Sequence, residues 1–432
     1  GHCFIKDVAA LRAACERALP DAHGVAVLKA MEGQNISLLR STGTDLDILE
    51  DVYGADVLAG AAPSVEVPKL SSVYAEVRVL IATETLDKAD PLLGFFHRWI
   101  EEFARHASRV HVICLGRGEG NLPANVSEHS LGKEAGRGIH MVKRLRYGLR
   151  FIYYAWKYRH EYDDVLVHLN PEYLLLGSLL WRLLGKRVGF WYNDERASLR
   201  VRLAMRMSDI LFYSSPDSYA AQFSHARQMP MGVDVDMYKV ADRKAEPHSM
   251  LFLGRITAEK RLDTTLAALG RIAKNNSRFS FDIYGASGAG DDKYLKELRK
   301  NSAELEKRGL VAFRGSVSHD KTPAVYAKHD IFVSIGSRRG FNKTLLEACS
   351  AGCIIVTSNP LFRGVIDDRL FVQQPDEKSV ASALMAALAL SPEERERERG
   401  KLIAYVRREH ALSSVVPAML EMLRRRGGET GK

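Results

Sequence analysis

Short apolar, β-branched runs at 77–83, 110–115, 165–169, 188–192 and 210–213 alternate with stretches of helical period. That alternation predicts a parallel sheet with helices on both faces, and such a sheet collects its ligands at the carboxyl ends of its strands. After a charged linker at about 238–248, which contains Pro247, the pattern resumes at 250–253, 279–284, 311–313, 331–334, 353–357 and 370–372. Leu262, Leu266, Leu269 and Ile272 recur at helical spacing and predict the buried stripe of the first helix in this second series. A last amphipathic segment, 415–423, predicts a terminal helix. The expected fold class is therefore α/β, with two facing Rossmann-like doubly wound domains at 75–237 and 249–412 and a C-terminal helix within 413–432. Residues 1–74 differ in texture. A helix is expected at 8–18 and strands at 24–28 and 36–41, and the small residues and prolines of 59–72 read as a linker, so this part is taken as a small appendage.

The most informative stretch is 336–359, GSRRGFNKTLLEACSAGCIIVTSN. A buried strand precedes it, and Asn342 is a plausible N-cap for a helix that sends Leu345, Leu346 and Cys349 inward. Gly352 then stops the helix before the next strand. Backbone N–H groups and the dipole at such a helix start favour an anion, and phosphate is the natural ligand. Upstream, Gly254-Arg255 and Lys260 follow the strand at 250–253. An Arg makes bidentate contacts to phosphate oxygens and a Lys adds a point charge, so both suit stabilisation of a leaving diphosphate. In the first series, the loop 84–99 holds Pro91 and Gly94, which suit a helix start and a close backbone approach. His168 stands at a strand end, and Asp194 follows the next strand.

Gly340-Phe341, Leu345-Leu346-Glu347-Ala348, Gly352 and Val356 together resemble the donor-site motif of family 4 glycosyltransferases of GT-B fold. The resemblance implies that Glu347 holds the ribose hydroxyls of a nucleotide-sugar. Arg339 stands where the family has a first glutamate, and Asn342-Lys343 resembles an Asp-Lys pair of some bacterial members. A structural alternative makes Lys343 and Glu347 an i, i+4 surface pair. Arg255 and Lys260 match the family's diphosphate-gripping loop, the loop 84–99 resembles its first N-domain loop, and Gly315 and Tyr326 match its spacing. Asp194 falls where members carry a histidine, and Met231-Gly-Val-Asp234 matches the segment closing the first domain. By this resemblance the donor side comprises Arg339, Gly340, Phe341, Asn342, Lys343 and Glu347, the catalytic cations are Arg255 and Lys260, and the acceptor side comprises Gly94, His168 and Asp194. The implied reaction is metal-independent, retaining transfer from a nucleotide-sugar co-substrate, without a cofactor, to a glycan or lipid-linked acceptor in polysaccharide biosynthesis. A nucleotide-binding regulatory protein descended from such an enzyme, or a nucleotide-sugar epimerase, competes with it. Residues 38–53 faintly resemble the lead-in of FkbM-type methyltransferases.

Composition narrows the classes. Apolar residues make up 46% and charged residues 27% of the 432, so an ordered globular chain is expected. The longest apolar run, near 173–181, is shorter than the roughly 20 residues of a membrane span. The chain begins at Gly1 without a signal-peptide pattern, which suggests a fragment or a processed chain and a cytoplasmic location. Five cysteines without a Cys-x-x-Cys fit neither a disulfide framework nor zinc, and Cys349 and Cys353 are expected to be core thiols. The glycine-rich 285–290 lacks the dinucleotide spacing, which argues against nicotinamide. The net charge of +9 concentrates in 140–160, where aromatics interleave with Lys and Arg. Peripheral contact with anionic lipid is one reading; the other is a core helix whose inward stripe is Leu145, Leu149, Tyr153 and Trp156. No motif for nucleic acid is present.

Overall fold

The computed structural model describes residues 77–135, 140–239, 243–274, 278–288, 290–336 and 342–424. The expectations for 1–74, including the methyltransferase-like lead-in, lie outside these residues. The second of the chain's two compact units, Val77–Lys432, carries both sheets.

Its first domain runs β1 (Arg78–Leu86), α1 (Phe95–Arg105), β2 (Arg109–Arg117), β3 (Val126–Ser130), α2 (His140–Lys157), β4 (Asp164–His168), α3 (Pro171–Leu183), β5 (Arg187–Trp191), α4 (Leu199–Met207), β6 (Ile210–Tyr213) and β7 (Ala226–Gln228). The strands are parallel in the order β3-β2-β1-β4-β5-β6-β7, so the winding reverses between β1 and β4. The second domain runs β8 (Glu246–Leu253), α5 (Leu262–Ala273), β9 (Ser280–Tyr284), α6 (Asp292–Lys307), β10 (Val311–Gly315), α7 (Thr322–Lys328), β11 (His329–Ser334), α8 (Lys343–Ser350), β12 (Ile354–Thr357), α9 (Glu377–Ala389) and α10 (Pro392–His410). Its parallel sheet has the order β10-β9-β8-β11-β12, reversing between β8 and β11. Both are doubly wound sheets, whose crevices open at the strand carboxyl ends nearest each reversal.

The elements form for local reasons. Val79, Leu80, Ile81 and Ala82 are buried in succession because helices cover both faces of β1. Asn170 caps α3 by accepting the Glu172 amide, with Pro171 next in line, and Ser391 with Glu394 forms a capping box on α10. Gly352, at φ 76°, ends α8 as its position predicts, and Leu345, Leu346, Cys349 and Cys353 are all buried. The last helix, α11 (Leu412–Arg424), packs on α1 and sets Leu423 against Gly189 of β5. Around it, Val233 donates to the His410 carbonyl at 2.8 Å and accepts from the Leu412 amide at 2.8 Å. Beside that crossing, Gly232 has φ 69°, and a Cβ there would lie 2.4 Å from the Trp99 ring, so the position requires glycine.

Five expectations need correction. Strands β3 and β7 were not anticipated: they are the edge strands, where partial exposure permits the polar sequences VSEHS and ARQ and removes the apolar run. Residues 370–372 form no strand; a 3₁₀ turn at Asp368–Leu370 is followed by one bridge from Phe371 to Thr357. The linker is shorter than 238–248, since Tyr238 is buried edge-on against Tyr326 and β8 already begins at Glu246. The charge-rich 391–399 is not simply a solvated face, because Arg395 and Arg399 both bind the buried Asp330. Leu145, Leu149, Tyr153 and Trp156 face outward, at 66%, 64%, 56% and 49% exposure. The helix α2 has two apolar stripes at the same spacing, and the one through Tyr147, Phe151 and Ala155 is the one that packs inward.

Candidate active site

The carboxyl ends of the two sheets enclose a cavity of 280 Å³. From the first domain its wall takes Phe95 at the start of α1, Asn193, Asp194 and Glu195 after β5, and Ser214 and Ser215 after β6. The second domain supplies Glu259 and Lys260 from the turn before α5, Ser334 at the end of β11 and Gly336 after it, Asn342 and Lys343 at the start of α8, and Asn359 after β12. Side chains fix these exits. The Asn193 carbonyl oxygen accepts the Ser214 amide at 2.6 Å and its hydroxyl at 3.0 Å, tying β5 to β6. The Ser358 hydroxyl accepts the Gly336 amide at 3.0 Å and donates back to its carbonyl at 2.9 Å, tying β12 to β11. Asn342 spends its side chain on Ser334 and Thr344 rather than on a helix amide, so α8 starts without a side-chain cap.

Lys343 is the cation at the junction. Its Nζ lies 3.2 Å from the centroid of the Phe95 ring and 5.8 Å from that of Trp99. Desolvation pulls the ammonium down to about 7, against the opposing pull of Glu347 and Asp234. Lys343 is therefore poised between charged and neutral near neutral pH while retaining some contact with solvent.

Glu347 lies beneath it at 2% exposure, which rules out a surface Lys343–Glu347 pair. Tyr326 donates to one carboxylate oxygen at 3.1 Å and His319 Nε2, as the N–H tautomer, to the other at 3.3 Å. Burial opposes the charge, but His319, Lys343 and Tyr326 outweigh it and hold the carboxyl below its usual range. Tyr238 closes the cluster, 3.2 Å from His319 Nε2. The only space lined by Glu347 among the described cavities is a void of 10 Å³, at most one water.

The predicted site residues thus separate. Lys260, Asn342, Lys343 and Asp194 meet on the 280 Å³ cavity, Asp194 at its exposed rim. Arg255 is exposed and absent from the wall, and Lys260 reaches it from a 3₁₀ turn ended by Arg261 in the left-handed region, φ 47°. His168 is also off the wall: it is 4% exposed, stacked on Phe96 at 3.8 Å, with Nδ1 3.2 Å from the Thr83 hydroxyl. Burial first, then the charge of Lys343, pushes its imidazole down to about 3, so it is a neutral packing group. Gly94 allows the first-domain loop to approach the second, since a Cβ would lie 2.4 Å from the Asp90 carbonyl and 3.0 Å from His319 Cβ. Arg339, Gly340 and Phe341 lie outside the described residues. Ser214, Ser215, Ser334 and Glu195 were missed, although each sits at or shortly after the carboxyl end of a strand, where the carboxyl-end rule would have found them. His319 and Tyr238 carried no such signal, because they reach Glu347 only through the fold. Among the described residues no group of three or more His, Cys, Asp or Glu is disposed to hold a metal.

Residues 237–404 match the family model described as Glycosyl transferases group 1. The chain is 28% identical over 147 residues to the alpha-monoglucosyldiacylglycerol synthase of Streptococcus pneumoniae, covering 34% of this chain and 32% of the relative. It is 30% identical over 172 residues to the GDP-mannose:cellobiosyl-diphosphopolyprenol alpha-mannosyltransferase of Xanthomonas oryzae pv. oryzae, covering 38% and 44%. The chain thus spans less than half the length of these curated relatives. Over the whole fold it resembles Anabaena HepE in complex with UDP and glucose, with a TM-score of 0.63 at 13% identity, covering 81% of this chain and 100% of that one. Sucrose-phosphate synthase from Thermosynechococcus elongatus gives 0.64 at 16%, covering 80% and 98%. The fold is that of GT-B enzymes, as the two doubly wound sheets predict.

Proposed function

We propose that the protein transfers a sugar from a nucleoside-diphosphate sugar, held on the second domain, to an acceptor held on the first. The observation that carries this reading is the cavity between the two sheets, with Lys260, Lys343 and Glu259 on the second-domain wall and Asp194, Glu195, Ser214 and Ser215 on the other. Negative charge grows on the diphosphate as the glycosidic bond breaks, and lysines already positioned in a partly dry cavity stabilise it more in the transition state than in the ground state. The opposite wall offers carboxylates and hydroxyls as acceptors for the O–H groups of a sugar, and in this reading Asp194 hydrogen-bonds the attacking hydroxyl and takes up its proton. We read the transfer as retaining and metal-independent, on the family resemblance and on the cationic groups available to the diphosphate. The names of the relatives support a lipid-linked or glycan acceptor, hence a cytoplasmic protein in peripheral contact with a membrane, with no cofactor beyond the co-substrate and no nucleic-acid partner.

At Arg339 and Asp194 the sequence departs from the family it resembles, which favours a second reading, a nucleotide-binding protein without turnover. Incubation with UDP- and GDP-sugars, with and without diacylglycerol or polyprenyl-diphosphate acceptors, separates the two. Acceptor-dependent release of nucleoside diphosphate, with the donor's anomeric configuration kept in the product and chelator without effect, is the expected result. Nucleotide binding without release under every acceptor supports the second reading.

A further inference from the structure

Three neighbouring helices of the first domain present apolar side chains to solvent. On α2, Met141, Leu145, Leu149, Tyr153 and Trp156 stand in one stripe, between 49% and 80% exposed. On α3, Leu176, Leu179 and Leu183 are 46%, 70% and 78% exposed, and on α4 Leu199 and Leu203 are 80% and 50% exposed. Isolated exposed leucines are ordinary, but α2 packs on α3 and α3 on α4, so these stripes lie side by side. The same helices carry nine Lys and Arg side chains against one acid, Glu172. Arg159 lies over the Trp156 ring at 4.2 Å, pairing a cation with an aromatic group at the end of the stripe.

Between α2 and α3 runs a groove of 790 Å³. Phe151, Leu131 and Leu115 give it an apolar floor, Lys143, Arg144 and Arg200 stand on its rim, and Glu172 on its wall lies 3.9 Å from the Arg200 guanidinium, a half-exposed pair that a phosphate can replace. Gly148 widens it: a Cβ there would meet nothing closer than Leu176 at 3.8 Å, although glycine inside a helix is unfavourable by about 1 kcal/mol relative to alanine. The groove opens at the carboxyl ends of β2 and β4, and Tyr173 on its wall donates to the Thr83 carbonyl of β1, so it shares the sheet edge that faces the cavity.

We propose that this face docks on an anionic phospholipid bilayer, with a lipid chain in the groove and the lipid phosphate among Lys143, Arg144 and Arg200. Only the purpose of docking, delivery of a lipid-held acceptor, rests on the proposed transfer. Charge selects the occupant. A second copy would set basic rim against basic rim, aliphatic side chains at this density have no partner on nucleic acid, and a bilayer with anionic headgroups meets both features together.

Co-sedimentation of the full chain with vesicles tests it. We expect binding to phosphatidylcholine vesicles containing about one-quarter phosphatidylglycerol, little binding to phosphatidylcholine alone, and a loss of about tenfold as salt rises from about 0.05 to 0.5 M. Leu149→Asp and Leu179→Asp, at exposed positions where the fold does not depend on them, should each lower binding about tenfold at low salt with unchanged circular dichroism. Arg144→Glu with Arg200→Glu should remove the preference for anionic lipid. None of these variants should alter the thermal shift with nucleotide-sugars, so failure of docking and failure of the donor reading remain distinct. A chain that stays in the supernatant with anionic vesicles overturns the proposal and leaves the face to a protein occupant, a second copy or residues 1–76. Equal binding to neutral vesicles, or binding untouched by the two leucine variants, overturns it as well.

Discussion

Donor binding should take up a proton at Lys343. The ammonium sits near 7 because desolvation beside the Phe95 and Trp99 rings outweighs Glu347 and Asp234. An arriving diphosphate brings negative charge to this side chain and restores its preference for the charged form. If only the protonated form binds well, apparent affinity falls by the neutral fraction: about twofold at pH 7, about tenfold at pH 8 and about a hundredfold at pH 9. At pH 8 about nine-tenths of a proton should enter for each donor bound, read by calorimetry in buffers of different ionisation enthalpy. A nucleotide-sugar, whose diphosphate is a diester, is the right probe, since it does not itself titrate in this range. Lys343→Arg should keep the affinity flat with pH, because a guanidinium stays charged, and Lys343→Met should be flat but weak. The same group gives a signature without ligand. Its folded pKa lies below the unfolded 10.5, so between about 7 and 10.5 the unfolded chain binds the extra proton and stability rises with pH, a slope that Lys343→Met should remove. Donor affinity that is constant from pH 6 to 9 in the unaltered protein, with no proton uptake, would refute the reasoning.

Three further outcomes follow from placement. Lys260→Ala should lower turnover by about a hundredfold, whereas Arg255→Ala, exposed and away from the cavity, should stay within about threefold; equal losses would put Arg255 back at the diphosphate. Asp330→Ala leaves Arg395 and Arg399 facing each other without their shared carboxylate and should cost about 3–5 kcal/mol by denaturant unfolding, while Glu396→Ala on the exposed side of α10 should be near neutral. Acid should destabilise the fold early: His168, held to about 3, and His129 and His410, held to about 4, have folded values below the ordinary 6.5, so their stabilisation is present above 6.5 and lost as pH falls toward 4, which a melting series across that range would show as a steady decline.

The central strands were legible because burial on both faces leaves an uninterrupted apolar run, as in Val79 to Ala82, and the glycine at 352 ends α8 in the left-handed region as its chemistry allows, whereas Asn342 marks the helix start by position but does not cap it with its side chain. Edge strands were illegible for the converse reason. The site was legible where it is a matter of position along the chain, so Lys260, Asn342 and Lys343 fall on the cavity. It was illegible where it depends on which side chains the fold brings together. Glu347 looks like a ligand group in sequence, and only the return of α7 and the crossing at Tyr238 reveals that its oxygens are already held. The outward stripe of α2 is the sharpest case. Leu145, Leu149, Tyr153 and Trp156 have helical spacing, but spacing shows that a helix has an apolar face and not that something within the chain covers it.

Two of the groups that sequence assigned to the donor, Lys343 and Glu347, are thus engaged, in different ways. Glu347 is bound by hydrogen bonds within the second domain, and Lys343 by rings of the first. A cation over an aromatic ring is worth about 0.5–2 kcal/mol, and a hydrogen bond from an ammonium to a phosphate oxygen about 1.5–3, so moving Lys343 from Phe95 to a diphosphate is favourable while displacing Tyr326 and His319 from a buried carboxylate is not. Donor entry should therefore draw on Lys343 first and leave the Glu347 cluster standing. Since Phe95 opens α1, and α1 carries both Trp99 against Gly232 and Arg98 against Asp234, release of that ring alters the contact by which the first domain meets the crossing chain. Under the proposed function, donor binding and the approach of the two domains should be coupled through one lysine.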